Sequence, residues 1–192
     1  MGPVDDILSP VVRQVLGINV EAAYTQLVPA GGGEPRAKQV LETITPDSVL
    51  VQPVKNRDDA KALLAGLWLW HDWLDESHTI SQGIAGPTGS FWHAIMHRRQ
   101  GDFSNSKYWY ARCAGHPVLQ VMAAQSPGVL NPQVPHKSLI RLMQGGWNPS
   151  ALVDLVEEVH EQPGDPRRAV AVSLQQLEWR LLFDHCTRAA GG

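Results

Sequence analysis

Residues 58–78 read DDAKALLAGLWLWHDWLDESH, and this run decides the fold class because apolar residues recur in it at helical spacing with no proline inside. Asn56 or Asp58 can cap its start, so the pattern predicts one helix from about Asp58 to about His78. At about 100° per residue, His71, Asp75 and His78 share a narrow sector with Ala60, Leu64, Leu67, Trp68 and Leu74. Three ionisable groups thus fall on the apolar stripe, while Asp72 and Glu76 fall further round. Burying an unpaired charge is costly, so such groups are exposed, paired with one another or bound to a metal. A hydrogen bond between His71 and Asp75, four residues apart, would satisfy the stripe without any functional site.

Outward from this run, a glycine-rich break over Gly83–Gly89 precedes a helix from Ser90 to about Gln100. That helix carries His93 and His97 one turn apart, a spacing that lets both point at a common ion. Trp92 and Ile95 offer it a competing apolar face. Toward the C-terminus, Asp165-Pro166 opens a helix to about Arg188, on which Glu178 and His185 recur with Ala171, Leu174, Leu181 and Leu182. A glutamate there either faces a polar site or pairs with an arginine of another helix, such as Arg141.

Shorter helices are predicted over Val4–Leu16, Ala37–Ile44, Lys107–Ala114 behind Ser104 or Asn105, Lys137–Gln144, and Ala151–Glu161 behind Asn148-Pro149. Ser48–Val54 and Pro117–Val121 are short strand candidates, Gly31–Pro35 a connector and Asn131–Pro135 a loop. The expectation is a mainly α, single-domain helical bundle with long loops and at most minor β. Residues 1–56 form a peripheral segment packing on a helical core over 57–188.

The chain has 192 residues, enough to bury a core without disulfides or a structural metal. Its 16 basic and 19 acidic residues leave a net charge of −3, which gives no footprint for nucleic acid and no polybasic membrane patch. No apolar run approaches the roughly 20 residues that span a bilayer. Cys113 and Cys186 match neither a zinc motif nor a disulfide framework, which points to a reducing, cytoplasmic setting. The partner implied is a small molecule, with a homo-oligomer left open.

Histidines and carboxylates projecting inward from facing helices are how bundles build metal sites. The expected ligands are His71, His93 and His97, with Asp75, His78, His116 and Glu178 as further ligands or acid–base groups. Such a nitrogen–oxygen set suits a divalent zinc, iron, manganese or nickel ion. Thr88 and Ser90 stand at a helix start that attracts anions, Arg98, Arg99 and Lys107 would reinforce it, and the aromatic block Lys107-Tyr108-Trp109-Tyr110 could wall the site, with Tyr108 or Tyr110 donating a hydrogen bond to a substrate. Simple helix capping by Thr88 or Ser90 competes with that reading. The predicted activity is hydrolysis or lyase-type chemistry on a small polar molecule. Two alternatives are a metal-free acid–base enzyme built on His71, Asp75 and His93 with an anion pocket, and a non-catalytic helical binding or scaffold protein.

The block from Pro87 to Arg99, PTGSFWHAIMHRR, followed by Gly101–Trp109, GDFSNSKYW, resembles a widely distributed family of uncharacterised proteins. With the HDWLDESH string the resemblance covers about a third of the chain; it implies a shared site and names no reaction. In ligand chemistry, one histidine plus an HxxxH helix, the chain is also similar to the DinB-like three-histidine metal-binding helical bundles. In those the HxxxH pair lies much further along the chain. A zincin helix is excluded because Ala94 stands where its glutamate would be.

Overall fold

The computed structural model describes residue 4, residues 6–130 and residues 137–192. These form ten α-helices, α1 (Pro10–Leu16), α2 (Pro35–Leu41), α3 (Arg57–Trp70), α4 (Leu74–Ser81), α5 (Pro87–Gln100), α6 (Phe103–Ala111), α7 (Pro117–Gln125), α8 (Lys137–Leu142), α9 (Pro149–Val159) and α10 (Arg167–Gly191). No sheet occurs among the described residues, where Leu8 and Leu50 make an isolated antiparallel bridge. No helix among them is long and apolar enough to cross a membrane.

Helix starts follow local chemistry. Proline occupies the first turn of α1, α2, α5, α7 and α9, where its missing N–H costs nothing. Asn56 caps α3 and Asn148 caps α9 with side-chain oxygens, as their sequence predicts. Several boundaries differ. The first helix begins at Pro10 rather than Val4, because Ser9 caps it and Leu8 is drawn into the bridge with Leu50. The expected strand over Ser48–Val54 is a short 3-10 turn ending at Ser48 followed by that bridge. The expected strand at Pro117–Val121 is helix α7, because the His116 ring accepts the Val118 N–H and Pro117 sets the first helical φ. Asp102 replaces Ser104 or Asn105 as the cap of α6. The loop expected over Asn131–Pro135 lies outside the described residues.

The largest departure is in the run that decides the fold. The chain leaves helical geometry at His71, Asp72 takes a left-handed φ of 64°, and α4 starts afresh at Leu74. Aspartate is among the few non-glycine types that visit this region, and a tertiary clasp holds it there. The fully buried Arg99 donates to the Leu69 carbonyl at the end of α3 (2.9 Å) and places its second amino group 2.7 Å from an Asp72 oxygen. On the other side, Glu34 N–H donates to the His71 carbonyl (3.0 Å). The chain passes so close here that a Cβ at Gly33 would collide with that carbonyl oxygen and with the Trp73 ring.

Helix α5 is central: every residue from Gly89 to Arg99 is buried. It packs on α3, α4 and α6, while α10 lies across α3, α7 and α9. Trp179 of α10 donates its indole N–H to the Gly66 carbonyl of α3 (2.9 Å) and stacks on Phe183. The N-terminal residues Val12, Val15, Tyr24, Leu27 and Leu41 enter the same hydrophobic cluster as α3 and α5.

Candidate metal centre

Helices α4 and α5 are antiparallel neighbours joined by a tight turn, and Gly89 permits the turn because a Cβ there would strike the Ile84 carbonyl. This hairpin sets His78 of α4 opposite His93 and His97 of α5. One ligand nitrogen from each of the three lies within 4.8 Å of the others. The ring centroids are 4.6 Å apart for His78 and His93, 4.7 Å for His93 and His97, and 5.4 Å for His78 and His97. His93 and His97 are buried and His78 is half-buried, so the cluster lies near the edge of the bundle. A tetrahedral ion with bonds of about 2.0–2.1 Å wants its nitrogens about 3.4 Å apart, somewhat closer than the outer limit seen here.

Neighbouring groups brace the rings. Ser81 Oγ lies 3.2 Å from His93 Nδ1, and the Trp109 ring packs over His93 at 4.3 Å. The Asn105 amide nitrogen lies 3.1 Å from Nε2 and 3.4 Å from Nδ1 of His97. Asp102 Oδ2 stands 3.9 Å from His97 Nδ1. Burial, reinforced by the neighbouring His97 and His78, pulls His93 down to about 4. Burial and His78 also lower His97, against the opposing pull of Asp102. Both rings are therefore neutral near pH 7, the state in which imidazole binds metals.

Other expected site residues lie elsewhere. His71 does not join His93 and His97: its Nε2–H donates to the Val15 carbonyl at 2.9 Å, and burial lowers its pKa while that bond opposes the shift. The physical reason is the corner at Asp72, which breaks the continuous helix that had put His71, Asp75 and His78 in one sector. Asp75 consequently faces solvent in the first turn of α4, and the expected His71–Asp75 pair is absent. His78, one of the further candidates, stands where His71 was expected.

Glu178 and Arg98 are also corrected from site groups to structural ones. Both side chains are fully buried, and an Arg98 amino group lies 2.6 Å from Glu178 Oε2. The Tyr110 hydroxyl donates to Glu178 Oε1 (2.8 Å) and accepts from Arg98 (2.6 Å). Glu178 thus pairs with Arg98 rather than Arg141, which lies 3.4 Å from Asp154. Burial works most strongly against the Arg98 charge, but Glu178, Tyr110 and Tyr24 together more than offset it and the net shift is upward.

The anion pocket expected at Thr88–Ser90 is likewise occupied from within. Gly86 is the N-cap of α5, and the Ser90 hydroxyl donates to the Gly86 carbonyl (3.0 Å). Thr88 Oγ1 is 3.3 Å from His116 Nε2. His116 Nδ1 accepts the Val118 N–H, so in the neutral ring Nε2 carries the proton and donates to Thr88. His116 is therefore a cap with no free basic nitrogen; burial and His185 lower it to about 4. Lys107 is 2.5 Å from Asp154 of α9, leaving Tyr108 the one exposed member of the expected substrate set. Ser81 and Asn105 escaped sequence reasoning as site residues, whereas Trp109 belongs to the aromatic block expected beside the histidine helix. Ser81 follows His78 by three residues on one helix face, but its approach to His93 depends on the α4–α5 pairing.

Compared with known proteins, the chain matches no family model, no curated protein and no solved structure.

Proposed function

We propose that this protein is a metal-dependent enzyme acting on a small polar molecule by hydrolysis or lyase-type chemistry, with a divalent ion held by His78, His93 and His97. The observation that carries this reading is the convergence of three imidazoles from two helices within 4.8 Å. Imidazoles brought this close repel one another once protonated. A shared cation turns the same proximity into an attraction. Three nitrogen donors favour zinc, iron or nickel over the oxygen-seeking magnesium and calcium.

An ion held by His78, His93 and His97 would supply Lewis-acid chemistry, polarising a substrate oxygen or lowering the pKa of a water toward neutrality. The protein's part is to keep the rings neutral, to orient them and to restrict water. Burial of His93 and His97, with Trp109 packed against His93, serves the first and third tasks. Asp102, held below the usual carboxylate range by the Asn105 N–H, is the carboxylate beside His97 and steadies that ring.

Elemental analysis of purified protein, followed by zinc titration of the metal-stripped form, tests the proposal. Wild type should bind one equivalent, and His78→Ala, His93→Ala and His97→Ala should each abolish tight uptake. Stripped wild-type protein that takes up neither zinc, nickel nor iron overturns it.

A further inference from the structure

Resting on the metal-site reading, we propose that Ser81 is a positioning residue that locks His93 in the tautomer presenting Nε2 to the ion. Ser81 is buried on the last turn of α4 and touches two members of the histidine cluster at once. Its hydroxyl has one proton, and the backbone carbonyl of His78, 3.2 Å away, is a partner to which it can only donate. When it donates there, the oxygen meets His93 Nδ1, also at 3.2 Å, as an acceptor, the one arrangement that makes both bonds. An acceptor at Nδ1 places the imidazole proton there, because a neutral ring carries only one. Nε2 is left with its lone pair free, which is the form a metal requires.

The burial of the pair strengthens the argument. Were the proton on Nε2 instead, Nδ1 and Ser81 Oγ would face each other as two acceptors until the hydroxyl turned away from His78. The competing tautomer thus gives up the Ser81 bond to the His78 carbonyl. Ser81 also ties His93 to the helical turn that carries His78, so one hydroxyl fixes both the protonation of one ligand and its register against another.

His97 is braced differently. The Asn105 amide nitrogen lies 3.1 Å from Nε2 and 3.4 Å from Nδ1, so it singles out neither nitrogen of that ring. The Ser81 contact, by comparison, is made to one nitrogen of its ring, Nδ1. Outer hydrogen bonds of this kind commonly change metal affinity by about 10–100-fold.

The test compares wild type, Ser81→Ala and Ser81→Thr by zinc titration, together with long-range proton–nitrogen NMR correlations of the histidine rings in zinc-free protein near pH 7. In wild type, His93 should show the Nδ1–H tautomer before zinc is added. Ser81→Ala should lose that single-tautomer pattern and bind zinc about 10–100-fold more weakly, with an unchanged circular dichroism spectrum. Ser81→Thr, which keeps the hydroxyl, should restore both. Equal zinc affinity in wild type and Ser81→Ala overturns the role of Ser81 while leaving the metal site standing. An Nε2–H tautomer in zinc-free wild type overturns it as well. Wild type that binds no zinc, nickel or iron overturns the metal-site reading and this role with it.

Discussion

Replacing Glu178 with alanine leaves Arg98 charged, fully buried and without its carboxylate 2.6 Å away, and takes the acceptor from Tyr110. Breaking one side of a buried ion pair costs about 3–5 kcal/mol, because the surviving charge has neither water nor partner. At an unfolding slope of about 2 kcal/mol per molar urea, typical for a chain of this class, the midpoint should fall by about 1.5–2.5 M. Glu178→Gln should lose less, since the amide oxygen still accepts one hydrogen bond. Replacing the triad together, Arg98→Met, Tyr110→Phe and Glu178→Leu, removes the charges as well as the bonds and should return stability to within about 2 kcal/mol of wild type. Urea unfolding followed by tryptophan fluorescence measures all four proteins, and zinc titration of the folded triple variant should match wild type. A Glu178→Ala loss below about 1 kcal/mol would refute the burial argument. Loss of zinc binding in a folded triple variant would refute the structural assignment of Glu178 and Arg98.

Acid should destabilise the metal-free fold in a defined window. His116 titrates at about 4 in the folded chain against an ordinary 6.5 when unfolded, so between those values the unfolded chain takes up a proton that the folded one refuses. The stability contribution is complete above pH 6.5, falls by up to about 3 kcal/mol as the pH drops to 4, and levels off below. His71 and His185 shift in the same direction. His116→Gln should flatten part of the stability–pH curve, and an unchanged curve counts against the cap. His71→Ala should bind zinc as wild type does while losing about 1–2 kcal/mol from its hydrogen bond to Val15, whereas His78→Ala should keep its stability and lose zinc; a reversed pattern would restore His71 as the ligand. Gly33→Ala should cost about 1–3 kcal/mol of urea stability by forcing the connector off the His71 carbonyl, and a neutral result would mean that the connector has slack.

The helices, their prolines and two of their asparagine caps are readable because they depend on residues within a turn of each other. The His93–His97 pair is readable for the same reason: four residues along one helix fix which side both occupy. The corner at Asp72 carries no such signal. It contains neither glycine nor proline, and what holds it is Arg99, distant in sequence and expected with Arg98 at the anion pocket. A sector argument drawn through residues 58–78 assumes one unbroken axis, so a single left-handed residue changes its outcome. His71 turns to Val15 and His78 takes the place beside His93. The Glu178 pairing was legible as a choice between an arginine and a polar site, but naming the arginine required the crossing of α5 and α10.

The corner also makes the candidate centre a reporter of global folding. Helix α5 carries two of the three imidazoles, and its Arg99 secures the bend from which the third is delivered on α4. Ligand helix and aiming device are therefore the same piece of chain. A hairpin excised around the histidines would keep every donor but lose the end of α3 and the connector that hold the bend. Metal uptake should accordingly rise and fall with the cooperative unfolding transition, and the affinity would not travel with the histidine motif when it is grafted onto another scaffold.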